Sequence, residues 1–294
     1  MMSTAIVSVY DFVGALEAAT LATNAKNPQD IEGRVYVAVT ATGASVEATD
    51  RFRASAVDLP RTVAVDSSPA TEGVVIRASD AAAMMKALKL SDPYQGARMN
   101  PRGSVQRHSY GVQVSVEAGT LATVTRADFA DRVEIAAVDD VAWPDVRRLF
   151  RGTEVGVMVN AGALNAAADG LSRLPDANGQ VDQPFVTLTF PSTETGQLTV
   201  AREGLRNGTA ALSVACGPVS SEAQGKKVTF NPGYLRDAIK STGLTGALRK
   251  AAVTLWLPVA GGPEIRRPVR FTAGGEESQF DSRGHLLVPI RRAL

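Results

Sequence analysis

One order of elements recurs along this chain and leaves few folds open to it. A short apolar strand at 5–9 precedes a helical pattern with Phe12, Leu16 and Ala19 at helical spacing, and strand-like runs follow at 34–39, 45–49 and 52–57. The order returns with a strand at 73–77, a helix carrying Met84, Met85 and Leu88, and strands at 110–116, 120–126 and 133–138. It returns a third time with a strand at 154–159, a helix carrying Leu164, Ala168 and Leu171, and strands at 185–190, 197–201 and 210–215. The last round has a strand at 226–230, a helix carrying Leu235, Ala238 and Ile239, and strands at 253–257, 269–272 and 286–290. The leading strand thus recurs about every 70 residues, and each unit reads βαβββ.

A doubly wound α/β enzyme alternates strands and helices one for one, and this chain does not. Few helices among many strands predict an α+β fold of large antiparallel sheets with helices on one face. Pairing the units gives two domains, 1–151 and 152–294, with Pro144 shortly before the break. The last helix has the clearest start. Asn231 can cap free N–H groups, and Pro232 suits the first helical position because its missing N–H would have been unpaired there.

Composition narrows the function classes. An apolar share of 45% with 21% charged residues is that of a globular chain. No apolar run reaches the roughly 20 residues of a membrane span, and the opening MMSTAIVSVYDF has no basic segment ahead of a long apolar stretch, so no secretory signal is expected. The single cysteine, Cys216, cannot form an internal disulfide, which fits a reducing cytoplasm; on a strand, it is expected to be a small core residue. The net charge of +1 means that a nucleic-acid partner, if there is one, must be met by locally concentrated positive charge.

Enzyme chemistry finds little to work with. His108, His285 and Cys216 have no metal-ligand spacing, and there is no nucleophile elbow, phosphate loop or dinucleotide fingerprint. No cofactor is expected. Asp139-Asp140 and Glu276-Glu277 are paired acids in loop-like stretches, where adjacent carboxylates are ordinarily solvated. A hydrolase built on them would need a pocket of carboxylates with raised pKa values. A non-enzymatic structural or interaction protein on a β-rich scaffold is the other rival, and it would show neither a basic inner face nor a peptide groove.

Four segments resemble the beta sliding clamp of bacterial replicative polymerases. Thr49-Asp50-Arg51-Phe52-Arg53 resembles that family's Thr-Asp-Gly-His-Arg turn, with Ile31-Glu32-Gly33 ahead of it like the family's Leu-Asn-Gly. Trp143-Pro144-Asp145-Val146-Arg147-Arg148 is similar to Phe-Pro-Asp-Tyr-Arg-Arg, and Phe230-Asn231-Pro232-Gly233-Tyr234-Leu235 to Phe-Asn-x-x-Tyr-Leu. The stretch Leu286-Leu287-Val288-Pro289-Ile290-Arg291 resembles the family's Val-Met-Pro-Met-Arg. The segments occur in the family's order at compatible spacing and span its middle and last domains. Gly-His has become Arg51-Phe52, and the Leu that follows the turn is Ala54.

The resemblance implies two clamp domains with sheets outside and helices on an inner face, a ring around double-stranded DNA, and a polymerase and a clamp loader as partners. It implies a hydrophobic inter-domain groove for partner peptides using Ile31, Thr49, Arg51, Phe52, Arg53, Ala54, Pro144, Arg148, Leu149, Asn231, Tyr234, Pro268 and Leu286, Leu287, Val288, Pro289, Ile290 and Arg291. It also implies that helix faces opposite the apolar stripes meet phosphates without reading sequence, through Lys26, Lys86, Lys89, Arg173, Arg236 and Lys240. The stretch with Arg98, Arg102, Arg107 and His108 is a weaker candidate for such contact, or a hairpin. Related clamps assemble six such domains, so a two-domain chain is expected to form a homotrimer, with a dimer as runner-up, in the cytoplasm of a bacterium, or of a bacterial host if the chain is viral.

Overall fold

A computed structural model describes residues 3–24, 26–27, 29–62, 72–99, 111–117, 119–125, 132–138, 142–150, 154–179, 185–206, 208–242, 252–274 and 284–289. Two compact units divide the chain, Met1–Val146 and Arg147–Leu294.

The first unit contains β1 (Ser3–Ser8), α1 (Val9–Leu21), β2 (Arg34–Thr40), β3 (Gly43–Thr49) and β4 (Arg53–Pro60), then β5 (Glu72–Arg77), α2 (Ala78–Lys89), α3 (Asp92–Met99), β6 (Gly111–Glu117), β7 (Thr120–Val124) and β8 (Val133–Ala136). One sheet runs β1-β6-β7-β8, and β5-β2-β3-β4 run side by side in another, every described pair antiparallel. Strand alternation turns Val35, Val37 and Val39 of β2, and Val112, Val114 and Val116 of β6, into one apolar core. Helix α1 buries Val9, Phe12, Val13, Leu16 and Ala19 against it and packs on α2, which buries Ala81, Met84 and Leu88.

The second unit repeats the order with β9 (Glu154–Asn160), α4 (Ala161–Ser172), β10 (Val186–Thr189), β11 (Gln197–Leu205), β12 (Gly208–Ala215), β13 (Lys227–Phe230), α5 (Pro232–Ser241), β14 (Ala252–Pro258), β15 (Val269–Ala273) and β16 (Gly284–Leu287). Its sheets run β12-β11-β10-β13 and β16-β15-β14-β9, antiparallel at each described pair. Phe190, Phe230, Phe271, Leu164, Leu188 and Leu235 form the heart of its core. At roughly 1.5–3 kcal/mol per fully buried large side chain, such residues carry most of the folding energy.

Helix starts follow local chemistry. Asp11 N–H donates to Ser8 Oγ at 3.3 Å, Ala163 N–H to Asn160 Oδ1 at 2.8 Å, and Gly233 N–H to Asn231 Oδ1 at 2.8 Å. The βαβββ order holds in all four repeats, with three local corrections. Val9 opens α1 instead of ending β1, because the Ser8 cap sets the boundary one residue earlier. Helix α3 is an addition: Arg98, expected in a loop or hairpin, lies on it, and Tyr94 stacks on Tyr10 of α1 at 5.9 Å. Cys216 lies just past β12 in an isolated bridge with Val159, half-buried and packed against the edge of the core instead of within it; burial pushes its thiol pKa up. Arg102, Arg107, His108 and both acid pairs, Asp139-Asp140 and Glu276-Glu277, lie outside the described residues.

Glu154 at the start of β9 makes a charge-assisted pair with Arg270, whose Nε donates at 2.8 Å, while the guanidinium stacks 4.6 Å from the Trp256 ring. Burial pushes the Glu154 carboxyl above its ordinary range despite the pull of Arg270. A folded-state pKa above the unfolded value gives stability that is full below about pH 4.3 and lost as pH rises through the folded value. The parent should therefore gain stability relative to Glu154→Gln as pH falls from 6.5 to about 4. Urea midpoints of the two proteins that stay parallel across that range would refute this.

Candidate functional site

The turn joining β3 to β4 is built around one buried carboxylate. Asp50, 2% exposed, accepts from Phe52 N–H at 3.0 Å and Arg53 N–H at 2.7 Å through Oδ1. Its Oδ2 takes Arg53 Nε at 2.8 Å and Nη2 at 2.6 Å. The same guanidinium donates to Thr23 O at 2.9 Å, tying the turn to the end of α1. Thr49 Oγ1 donates to Arg53 O at 2.9 Å and closes the turn from the other side. Arg53 is therefore buried and committed within this turn.

Between these anchors Arg51 has φ 73°, a left-handed conformation that costs a non-glycine residue about 1–2 kcal/mol. Its Nε reaches Glu32 Oε1 at 2.7 Å, and Glu32, buried in the turn Ile31–Gly33, also accepts from Asn27 Nδ2 at 3.1 Å. The strained backbone holds Arg51 on the surface and leaves the Phe52 ring 55% exposed. Ile31 is half-buried beside this turn, and Ala54 is buried at its exit. Trp143 donates to Glu47 Oε2 at 3.1 Å and stacks on Tyr36 at 5.5 Å, which fixes the segment bearing the exposed Pro144.

In the second unit the expected residues gather around β16. Helix α5, capped by Asn231, packs on β16; Tyr234 in its first turn is half-buried against the core, and Leu286 and Leu287 of the strand are buried. A Cβ on Gly284 would stand 2.8 Å from the Phe150 ring, so the glycine admits the segment 147–150 to the start of that strand. On this segment Arg148 is exposed and Leu149 is 47% exposed. Val288 and Pro268 are half-buried, Pro289 is buried, and Ile290 and Arg291 lie outside the described residues. Sequence reasoning missed the roles of Glu32, Thr23 and Trp143. Only Asp50, two and three residues ahead of the amides it caps, carried a local signal.

The expected DNA-facing cations differ in their surroundings. Lys86, Arg236 and Lys240 are exposed on α2 and α5 and have no ion pair among the described residues. Lys89 lies 3.7 Å from Glu17 of α1, and Arg173 pairs with Asp169 at 2.6 Å. Lys26 is exposed in the turn beyond α1.

No protein-family model matches the sequence, and no curated protein matches it. Solved structures do. The DNA polymerase sliding clamp from Pseudomonas aeruginosa superposes with a TM-score of 0.72 at 13% identity, covering 99% of this chain and 67% of that one. The Bacillus subtilis clamp gives 0.71 at 15% identity over 99% of this chain and 64% of its own. The Caulobacter crescentus beta sliding clamp gives 0.69 at 15%, over 99% and 67%. This chain has the sliding-clamp fold throughout and spans about two thirds of the length of those clamps.

Proposed function

We propose that this protein is a sliding DNA clamp: a non-catalytic ring that encircles double-stranded DNA without reading its sequence and tethers a replicative polymerase after a clamp loader has placed it. The observation that carries this reading is the clamp fold over 99% of the chain. Three exposed cations, Lys86, Arg236 and Lys240, on two of its helices support it. Topological retention needs no strong affinity, which suits a net charge of +1. Two clamp-fold units per chain favour three copies per ring, with two as runner-up. Among the described residues no helix is long and apolar enough to cross a membrane, and the working place of such a clamp is the cytoplasm.

The test is retention. Placed on nicked circular duplex by the clamp loader of its own replication system and filtered at moderate salt, the protein should stay on the circle and leave the same DNA once it is linearised. Equal retention on both forms would refute encirclement.

On the second unit partner peptides would use the exposed Leu149 with Asn231, Tyr234 and β16, and on the first unit the exposed Phe52. A peptide with a glutamine and one or two Leu or Phe anchors, taken from a client of the same replication system, should bind with a micromolar Kd, about −8 kcal/mol. Leu149→Ala should cost on the order of 1–3 kcal/mol of that binding with melting unchanged. Calorimetry giving equal affinities would remove Leu149 from the site.

A further inference from the structure

The connection from β14 to β15 folds back along the edge of β13 and is fixed there. Lys227 N–H donates to Pro263 O at 2.7 Å, Ile265 N–H donates to Lys227 O at 2.8 Å, and Ile265 is buried in the core of the second unit. This connection walls a cleft of about 510 Å³. Gly261, at φ 126°, and Gly262 are part of the wall, and a Cβ on either would meet nothing within 4 Å, so they leave the cleft open.

The cleft concentrates positive charge. Lys226, Arg266 and Arg267 line it against one acid, Glu264, a local charge of +2 in a chain whose net charge is +1. Lys226 is 7% exposed, and its ammonium donates to Pro258 O at 2.6 Å and Val259 O at 3.1 Å. An ammonium has three N–H donors, so one is left over from these carbonyls. A buried charge is ordinarily paired, yet no carboxylate pairs with Lys226 among the described residues. Burial pushes its pKa below the ordinary lysine value, and the exposed Glu222 offsets only part of that. Arg267 is exposed and has no ion pair among the described residues, while Arg266 lies 3.3 Å from Glu264.

The position of the cleft says what could fill it. Arg267 is followed directly by Pro268, one of the expected groove residues, and then by β15, whose Val269 pairs with Leu287 of β16. The cations therefore adjoin the strands on which a partner peptide would lie. Duplex DNA is too wide to enter a cleft of this size, whereas a glutamate or aspartate side chain on an extended backbone can reach a buried ammonium. Clustered arginines are a recurrent means of holding acidic peptide motifs.

We infer that this cleft holds the carboxylates of an acidic segment flanking the anchors of a partner peptide, through Lys226, Arg266 and Arg267. This rests on the peptide-groove reading and adds the chemistry of the flanking residues to it. Apolar anchors fix where the peptide sits, and the cleft selects among clients by the charge beside those anchors.

Fluorescence anisotropy with three labelled probes tests this on the full chain: the client peptide alone, the same peptide with four glutamates added at one end or the other, and free tetraglutamate. On the parent the extension at one of the two ends should tighten binding at least about fivefold at low salt, a gain that shrinks as salt screens it. Arg266→Gln with Arg267→Gln should abolish the gain and leave the unextended peptide and the melting curve as in the parent, since both residues are exposed. Lys226→Met should also abolish the gain, provided its melting curve shows a folded chain. Extensions that add nothing at either end, or a gain that the double arginine variant keeps, would sink the cleft and leave the groove. A short linear duplex weakened by the double variant as much as the extension is would make the cleft a phosphate contact and overturn the assignment. Tetraglutamate held by the parent and not by the double variant, with the unextended peptide held by neither, would remove the groove and keep the cleft.

Discussion

Asp50→Ala should destabilise the first unit by about 3–5 kcal/mol, the usual cost of removing one member of a buried ion pair. Asp50 is 2% exposed, and its two oxygens satisfy two backbone amides and the Arg53 guanidinium. Without it, Arg53 keeps a charge that is buried with one partner fewer, and the Phe52 and Arg53 amides lose their acceptor. Arg51 adds to the loss, because its left-handed backbone is tolerated only while the turn around it is over-determined. At roughly 2–3 kcal/mol per molar urea, the transition reporting the first unit should move by about 1–2.5 M. Asp50→Ala combined with Arg53→Met should recover part of the loss, since no uncompensated charge is left. A shift under about 0.3 M for the single variant would show that water replaces the carboxylate at little cost.

What could be read from the sequence was whatever is fixed by near neighbours. The four βαβββ units are legible because apolar alternation and helical spacing act over a few residues, and because Ser8, Asn160 and Asn231 cap helices by bonding to amides two or three positions on. Helix α3 escaped although Ser91 accepts from Tyr94 N–H at 3.4 Å, because it is short, holds a glycine, and has Tyr94 as its anchor to α1. The work of Arg53 was hidden for another reason: one of its partners, Thr23 O, lies thirty residues earlier in the chain. The covers over the edges of β1 and β13 were also beyond sequence reasoning. Whether an edge is bare depends on which loop folds over it, and here Thr62 and Ile265 cover two edges from far along the chain.

The cations show the same division, and it has a measurable consequence. By helical spacing alone Lys86, Lys89, Arg173, Arg236 and Lys240 were equivalent, yet Lys89 faces Glu17 and Arg173 faces Asp169. A neutralised cation displaces little of the counterion atmosphere of a duplex, whereas an unpaired one releases about 0.9 counterion per phosphate it meets. Lys86→Glu with Arg236→Glu and Lys240→Glu should therefore weaken binding to a short linear duplex at low salt by at least about tenfold, and lower the slope of log K against log salt by about 3. Lys89→Glu with Arg173→Glu should do clearly less, although it reverses two charges. All five residues are at least partly exposed, so melting should be unaffected in both variants. Fluorescence anisotropy across a salt series, on two duplexes of unrelated sequence, separates the cases. A triple variant with the parent's slope would show that α2 and α5 do not face phosphates. A double variant as impaired as the triple would show that the ion pairs open when DNA arrives.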